Sequence, residues 1–398
     1  MTSAPLPLAG IRVLSLEQYG AGPYGTMCLA QMGAEVIKLE PPKGGDSSRA
    51  TGPFFLGEDD SLFYQTFNLN KRSLTLDLKT KEGQEILHAL VATADAVTNN
   101  ARGDQPAKLG LDYAALSRVK PSIVCVHASA YGRGNARESW PGYDYLMQAE
   151  AGFLAMTGEP DAPPTRFGLS MVDFMTGQML ATATLAGILG ARASGTGADY
   201  DVALLEAALH QTSYPAMWYL NEGYETGRAA RSAHPSVTPS QLFRTADGWV
   251  FIMAQLPKFW ERLTDAIGAP ELRDDPRFKT VEARLANRPA LTERLDAIFS
   301  QRTTAAWVAR LGGICPVAPV HDLAQALNSA FIRDRGMVQP VPHPERPDMQ
   351  ALASPILLNG ARLPAAHAPR LGADTCAILA ELGHDAAAVA SLRARGIV

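Results

Sequence analysis

Over roughly its first two hundred residues the chain alternates short strand-like runs with longer helical stretches, and this alternation narrows its fold more than any other feature. Runs rich in Val, Ile, Leu and Thr lie at 11–16 (IRVLSL), 34–40 (AEVIKLE), 73–78 (SLTLDL), 95–100 (DAVTNN) and 122–131 (SIVCVHASAY), separated by helical segments such as 80–94. Strands joined through helices predict a mostly parallel sheet with helices packed on its faces. The segment ARASGTGADYDVALLEAAL then reads as a glycine-rich turn, a short strand and a further helix. Near residue 225 the texture changes. GRAARSAHPSVTP is a loop rich in Gly, Ser and Pro, and SQLFRTADGWVFIMAQ is a hairpin with Asp247-Gly248 at its turn. Helical, charge-laced segments continue to about 325. The expected organisation is a large α/β domain over 1–225, a smaller α+β domain over 226–335, and a C-terminal segment, 336–398, that returns to the large domain.

Composition restricts the class of function. The 398 residues are 46% hydrophobic with a formal net charge of −4, and no block of like charge suggests a nucleic-acid or membrane-surface partner. Cys28, Cys125, Cys315 and Cys376 are scattered without C-x-x-C spacing, the pattern of reduced, buried thiols rather than of a disulfide framework or a zinc site. The opening MTSAPLPLAG has no basic start followed by an apolar run, so the expectation is a cytoplasmic protein without a signal peptide.

Two stretches carry candidate chemistry. Residues 166–197 run almost without charge from Arg166 to Arg192, yet hold one acid, Asp173. One reading makes Asp173 the N-cap of a buried helix over 174–191. The other makes it a nucleophile, kept ionised by the positive end of the helix dipole. The second stretch is GAGPYG, residues 20–25, which fits G-x-G-x-x-G between a strand and a helix, with Glu40 placed to meet a ribose. It reads either as a dinucleotide-binding loop or as a tight strand-to-helix turn.

A wider pattern bears on both. LAGIRVLSLEQYGAGPYGTMCLAQMGAEVIKLEPPKGGD, FNLNKRSLTLDLKTKEG, PGYDYLMQAEAGFLAMTG, LSMVDFMTGQMLATATLAGILGAR and GADYDVALLEAAL resemble, in order and spacing, the family III CoA-transferases, relatives of formyl-CoA transferase and carnitine CoA-transferase. RTADGWVFIMA, DPRFKTVEARLANR and CPVAPVHDL extend the resemblance over nearly the whole chain. It implies a Rossmann-like large domain, a smaller α+β domain and a homodimer of two interlocked chains. It also implies an enzyme that takes coenzyme A as an acyl-CoA donor, passes it to a carboxylic acid acceptor and uses no metal.

By the same resemblance Asp173 attacks the thioester, with Gly20, Tyr143 and Asp144 as active-site neighbours. Tyr19 lies beside the thioester, Leu76 and Lys79 by the nucleotide, and Asn100, Arg102 and Lys108 along the cofactor. Lys71 and Arg72 join Lys79, Arg102 and Lys108 in a candidate phosphate-binding pool, whose other reading is solvated surface charge. For Tyr143 and Asp144 the other reading is a loop tyrosine and a helix cap. The chain departs from formyl-CoA transferase at Gly20, where that enzyme has glutamine, and lacks a clear glycine-rich lid. A longer acid than oxalate or formate is therefore expected, with succinyl-CoA and a C4–C5 dicarboxylate as the pair. The alternative on this fold is an α-methylacyl-CoA racemase, whose catalytic histidine falls where this chain has Tyr143; His127 reads as a satisfied core histidine.

Overall fold

The computed structural model describes residues 5–398. They divide into two compact units, one of residues 5–151, 168–213 and 330–398 and the other of residues 152–167 and 214–329. Where the sequence places the change at 225 and 335, the units change over at 213 and 329, and residues 152–167 go with the smaller one.

The first unit is built on strands β1 (Arg12–Leu16), β2 (Glu35–Glu40), β3 (Arg72–Thr75), β4 (Ala96–Asn99), β5 (Val124–Ser129) and β6 (Asp199–Ala203). They form one parallel six-stranded sheet in the order β3-β2-β1-β4-β5-β6. The order reverses between β1 and β4, and ligands of open parallel sheets bind outside the strand carboxyl ends at such a point. Both faces are covered, which is why the strands read as apolar runs rather than as an alternation. Leu14, Ile37, Leu74, Val97 and Cys125 pack with Leu87 and Leu90 of helix Lys81–Thr93. Val13, Val36, Ala96, Val124 and Val126 face the opposite side, with Leu29 of helix α1 (Ala21–Gln31) and Leu180 and Ile188 of helix α2 (Met171–Ser194). Ile378, Leu379, Val389 and Leu392, from the last two helices, join the first of these cores.

Helix α2 is long and apolar enough to cross a membrane by length and composition alone. Its buried stripe, which includes Val172, Thr176, Gly177, Leu180 and Ile188, packs against protein. It approaches α1 backbone to backbone: a Cβ built on Gly25 would lie 2.4 Å from the Gly177 carbonyl oxygen. Cys125 and Cys315 are buried as expected, whereas Cys28 is half-buried and Cys376 exposed.

The second unit centres on an antiparallel sheet of β7 (Ser240–Arg244), β8 (Trp249–Met253) and β9 (Val317–Pro319). β7 and β8 form the expected hairpin across Asp247-Gly248. Helices Pro257–Ile267, Arg288–Phe299 and Thr304–Leu311 bury Trp260, Leu295 and Trp307 beside Phe243 and Ile252 of the sheet.

Candidate active site

Helix α2 begins at Met171, after Ser170, so Asp173 is the third residue of its first turn and not its cap. The capping role passes to Asp144, whose Oδ2 accepts from the Asp173 amide at 2.9 Å. Asp144, itself buried, opens helix Asp144–Glu150, and its Oδ1 accepts from Gln148 Nε2 at 2.5 Å. The dipole does not keep Asp173 acidic. Burial, reinforced by the nearby Asp144 charge, pushes its pKa up to about 7. It is a carboxylate poised between its two forms at neutral pH.

The three glycines of GAGPYG each answer a different close approach. A Cβ on Gly20 would fall 2.5 Å from Asp173 Oδ2, one on Gly22 2.9 Å from the Glu17 side chain, and one on Gly25 against Gly177. The space that glycine leaves at position 20 is thus filled by the Asp173 carboxylate, not kept for a longer acid. Gly20 is also the N-cap of α1, and Pro23 lacks an N–H, so the amides of Ala21 and Gly22 in the first turn have no helical carbonyl to bond. Tyr19 and Tyr143 flank this point with ring centroids 6.2 Å apart, and Tyr143 is 64% exposed.

Beside this point lies a cavity of about 650 Å³ at the carboxyl ends of β1 to β4. Leu76, Lys79 and Asn100 line it, as does Gln18, two residues before Gly20. Asn100 is a clamp as well: its Oδ1 accepts from the Gln18 amide at 2.9 Å and its Nδ2 donates to the Gln18 carbonyl at 2.6 Å. Two cations absent from the sequence reading, Lys43 and Arg395, also line the cavity. Lys43 stood inside the quoted PPKGGD, but Arg395 gave no signal, because only the fold brings the C-terminus back to this sheet.

The other candidate cations separate. Arg102 and Lys108 are exposed and share Asp104, at 3.4 and 2.7 Å, on the loop whose Ala101 and Leu109 line the cavity. Lys71 and Arg72 leave the phosphate pool. Lys71 is buried and donates to the Pro23 carbonyl and Asn68 Oδ1, both at 2.9 Å; burial, with the charge of Lys38, pushes its pKa down to about 7. Arg72 pairs with Glu35 and Glu381 beside Arg12, toward the amino ends of the strands.

Glu40, the ribose candidate, is saturated. Arg49 engages both its oxygens at 2.8 and 2.7 Å, and the Ser73 hydroxyl and Asp46 amide complete them. His127 is 1% exposed, with its ring nitrogens 2.7 Å from Asn99 Nδ2 and 2.9 Å from Asp199 Oδ1, as read for a core histidine. It offers the site no base.

The site thus sets an acid against a helix start, with a cavity of about 650 Å³ at the strand carboxyl ends. The model of the CoA-transferase family III matches residues 8–375, and the chain belongs to that family. It is 32% identical over 388 residues to a succinate–glutarate CoA-transferase of Agrobacterium fabrum, covering 94% of this chain and 96% of that one. It is also 32% identical to a succinyl-CoA:mesaconate CoA-transferase of Haloarcula hispanica, with 94% and 96% covered. Among solved structures, a CAIB/BAIF family protein from Brucella suis superposes with a TM-score of 0.83 at 32% identity, over 95% of this chain and all of that one. The protein is a CoA-transferase, with an acyl-CoA thioester as donor and a carboxylate as acceptor.

Proposed function

We propose that Asp173 is the nucleophile of this transfer, that succinyl-CoA is the donor and that a C4–C5 dicarboxylate is the acceptor. The observation that carries the reading is the Asp173 carboxylate lying against Gly20 at the start of α1, with its pKa raised to about 7. Ionised Asp173 attacks the thioester carbonyl and expels CoA thiolate, leaving an aspartyl anhydride. The thiolate attacks the aspartyl carbonyl, the donor acid departs, and the thioester energy is kept as aspartyl-CoA. An acceptor carboxylate then runs the sequence in reverse, and Asp173 is regenerated. The amides of the first turn of α1, Ala21 and Gly22, would be the donors for the oxyanions that form on this path.

The large unit is read as Rossmann-like, with the cavity at its strand carboxyl ends taking the nucleotide end of CoA. Leu76, Lys79, Asn100, Lys43 and Arg395 line that cavity, and Arg102 and Lys108 lie on the Asp104 loop, whose Ala101 and Leu109 also line it. Tyr19 and Tyr143 shelter the reacting carbonyl. Two chains are taken to interlock as a homodimer. The choice of acids follows the named activities of the relatives from Agrobacterium fabrum and Haloarcula hispanica. The test is initial-rate transfer from succinyl-CoA to glutarate, mesaconate, citramalate, oxalate and formate. At least one C4–C5 acid is expected to exceed oxalate and formate by about tenfold or more in kcat/KM, a difference of about 1.4 kcal/mol in the barrier. Oxalate or formate as the best acceptor would remove the C4–C5 assignment.

A further inference from the structure

Between β1 and α1 the backbone is gripped group by group. The Glu17 carbonyl accepts from Lys38 Nζ at 2.7 Å. The Gln18 amide and carbonyl are both bonded by Asn100. The Tyr19 amide donates to Asp46 Oδ1 at 3.1 Å. Tyr19 needs this grip, because its φ of 65° lies in the left-handed region that a bulky non-glycine residue avoids. The next residue is Gly20, with the Asp173 carboxylate against it.

Lys38 and Asp46 are one unit. Their side chains are 0% exposed and pair at 2.8 Å, so the same ion pair holds the carbonyl before Gln18 and the amide after it. Asp46 Oδ1 also accepts from the Ser48 amide at 2.8 Å, which fixes the short helix Ser47–Ala50 behind the loop. Taking two charges fully out of water is costly, and an apolar pair of similar volume commonly serves stability as well or better. What an apolar pair cannot do is bond two backbone groups on either side of one residue.

We propose that the buried Lys38–Asp46 pair is a positioning device of the transfer site, holding the β1–α1 loop in the left-handed turn that sets Gly20 against the Asp173 carboxylate. The proposal rests on Asp173 as nucleophile. Asp46, Glu17 and Gln18 also form one wall of the CoA cavity; without the pair, Tyr19 relaxes toward negative φ, Gly20 moves, and the attack geometry is lost while the wall at Leu76, Lys79 and Arg395 stays formed.

The experiment compares Asp46→Ala with Asp46→Asn, which keeps an acceptor for the Tyr19 amide. Asp46→Ala is expected to lower kcat about a hundredfold with KM for acyl-CoA within about threefold, and Asp46→Asn to recover at least about tenfold of that loss. Hydrogen exchange of the peptide over 17–22 should accelerate in Asp46→Ala and not in Asp46→Asn. A folded Asp46→Ala enzyme with kcat within about threefold of the parent overturns the proposal. If Asp46→Ala does not fold, Lys38→Met with Asp46→Ser decides, since serine still caps Ser47–Ala50 but gives up the Tyr19 amide. An at least roughly tenfold fall in kcat supports the proposal there, and a fall under about threefold overturns it. Trapping the parent's acyl-enzyme with hydroxylamine separates the two readings. Turnover with Asp173 unmodified removes the nucleophile assignment, and the exchange of the Tyr19 amide in the variant then decides the positioning role: acceleration supports it, and unchanged exchange overturns it.

Discussion

As the proposed nucleophile Asp173 must be ionised to attack, yet it sits where ionisation is disfavoured by burial and then by Asp144. Its folded-state pKa is raised, so the native state holds this proton more tightly than the unfolded chain does. The contribution to stability is therefore largest at low pH and falls as pH rises from about 3.8 to about 7. Activity runs the other way. The free enzyme's kcat/KM is expected to rise with pH through an inflection near 7. Asp144→Asn keeps an oxygen for the Asp173 amide but removes the like charge, so its inflection should move to lower pH. An inflection at the ordinary carboxylate pKa in the parent, or one unmoved in the variant, would remove Asp144 from the electrostatics of the site. The sequence made Asp173 visible as the one acid in a long uncharged stretch. It did not show that Asp144, 29 residues away, supplies both the cap and the charge, because that pairing exists only once two helix starts meet.

At the scale of elements, the glycines decide how α1 and α2 meet. Gly25→Ala would set a methyl 2.4 Å from the Gly177 carbonyl, and backbone cannot rotate away as a side chain can. The helices must part, at a cost of roughly 1–3 kcal/mol, and Asp173 moves from Gly20 with them. Gly190, also on α2, has nothing within 4 Å of its Cβ position. Gly190→Ala should be neutral, or stabilising by up to about 1 kcal/mol from helix propensity. Urea unfolding of both variants, with transfer assays, checks the contrast, and equal effects would contradict it. GAGPYG shows where a motif stops being informative. Its spacing fits a phosphate loop, but its glycines serve the Asp173 carboxylate, Glu17 and a helix crossing, and Glu40 is consumed by Arg49. The strands were legible because two-sided burial makes them apolar throughout. The cations were not: Lys71 lies under α1 and Arg72 toward the other end of the sheet, which no local pattern of charge reveals.

For the whole molecule, the parallel sheet follows from the strand–helix alternation, but neither its strand order nor the partition of the chain does. Residues 152–167 leave the large unit and 168–213 rejoin it, an excursion without a composition change to mark it. In the smaller unit, helix Tyr214–Glu222 buries none of its residues and exposes Met217, Tyr219 and Leu220. Apolar surface of this kind is covered in assembled proteins, and the proposed homodimer is the assembly to test. An interlocked pair buries enough surface that no folded monomer should accumulate on dilution to roughly nanomolar concentration. Sedimentation velocity with a fluorescent label reads this, and a folded monomer would refute interlocking.

If CoA passes through Asp173, as proposed, it can be caught there. The enzyme is incubated with succinyl-CoA and hydroxylamine, digested, and mapped by mass spectrometry. A hydroxamate is expected at residue 173, dependent on acyl-CoA and on no other acid, formed at the rate at which transfer is lost. Asp173→Asn should remain folded, bind CoA, form no adduct and transfer CoA at least about a thousandfold more slowly. An unmodified Asp173 in an enzyme that still turns over, or an Asn variant keeping more than about a tenth of the parental rate, would contradict it.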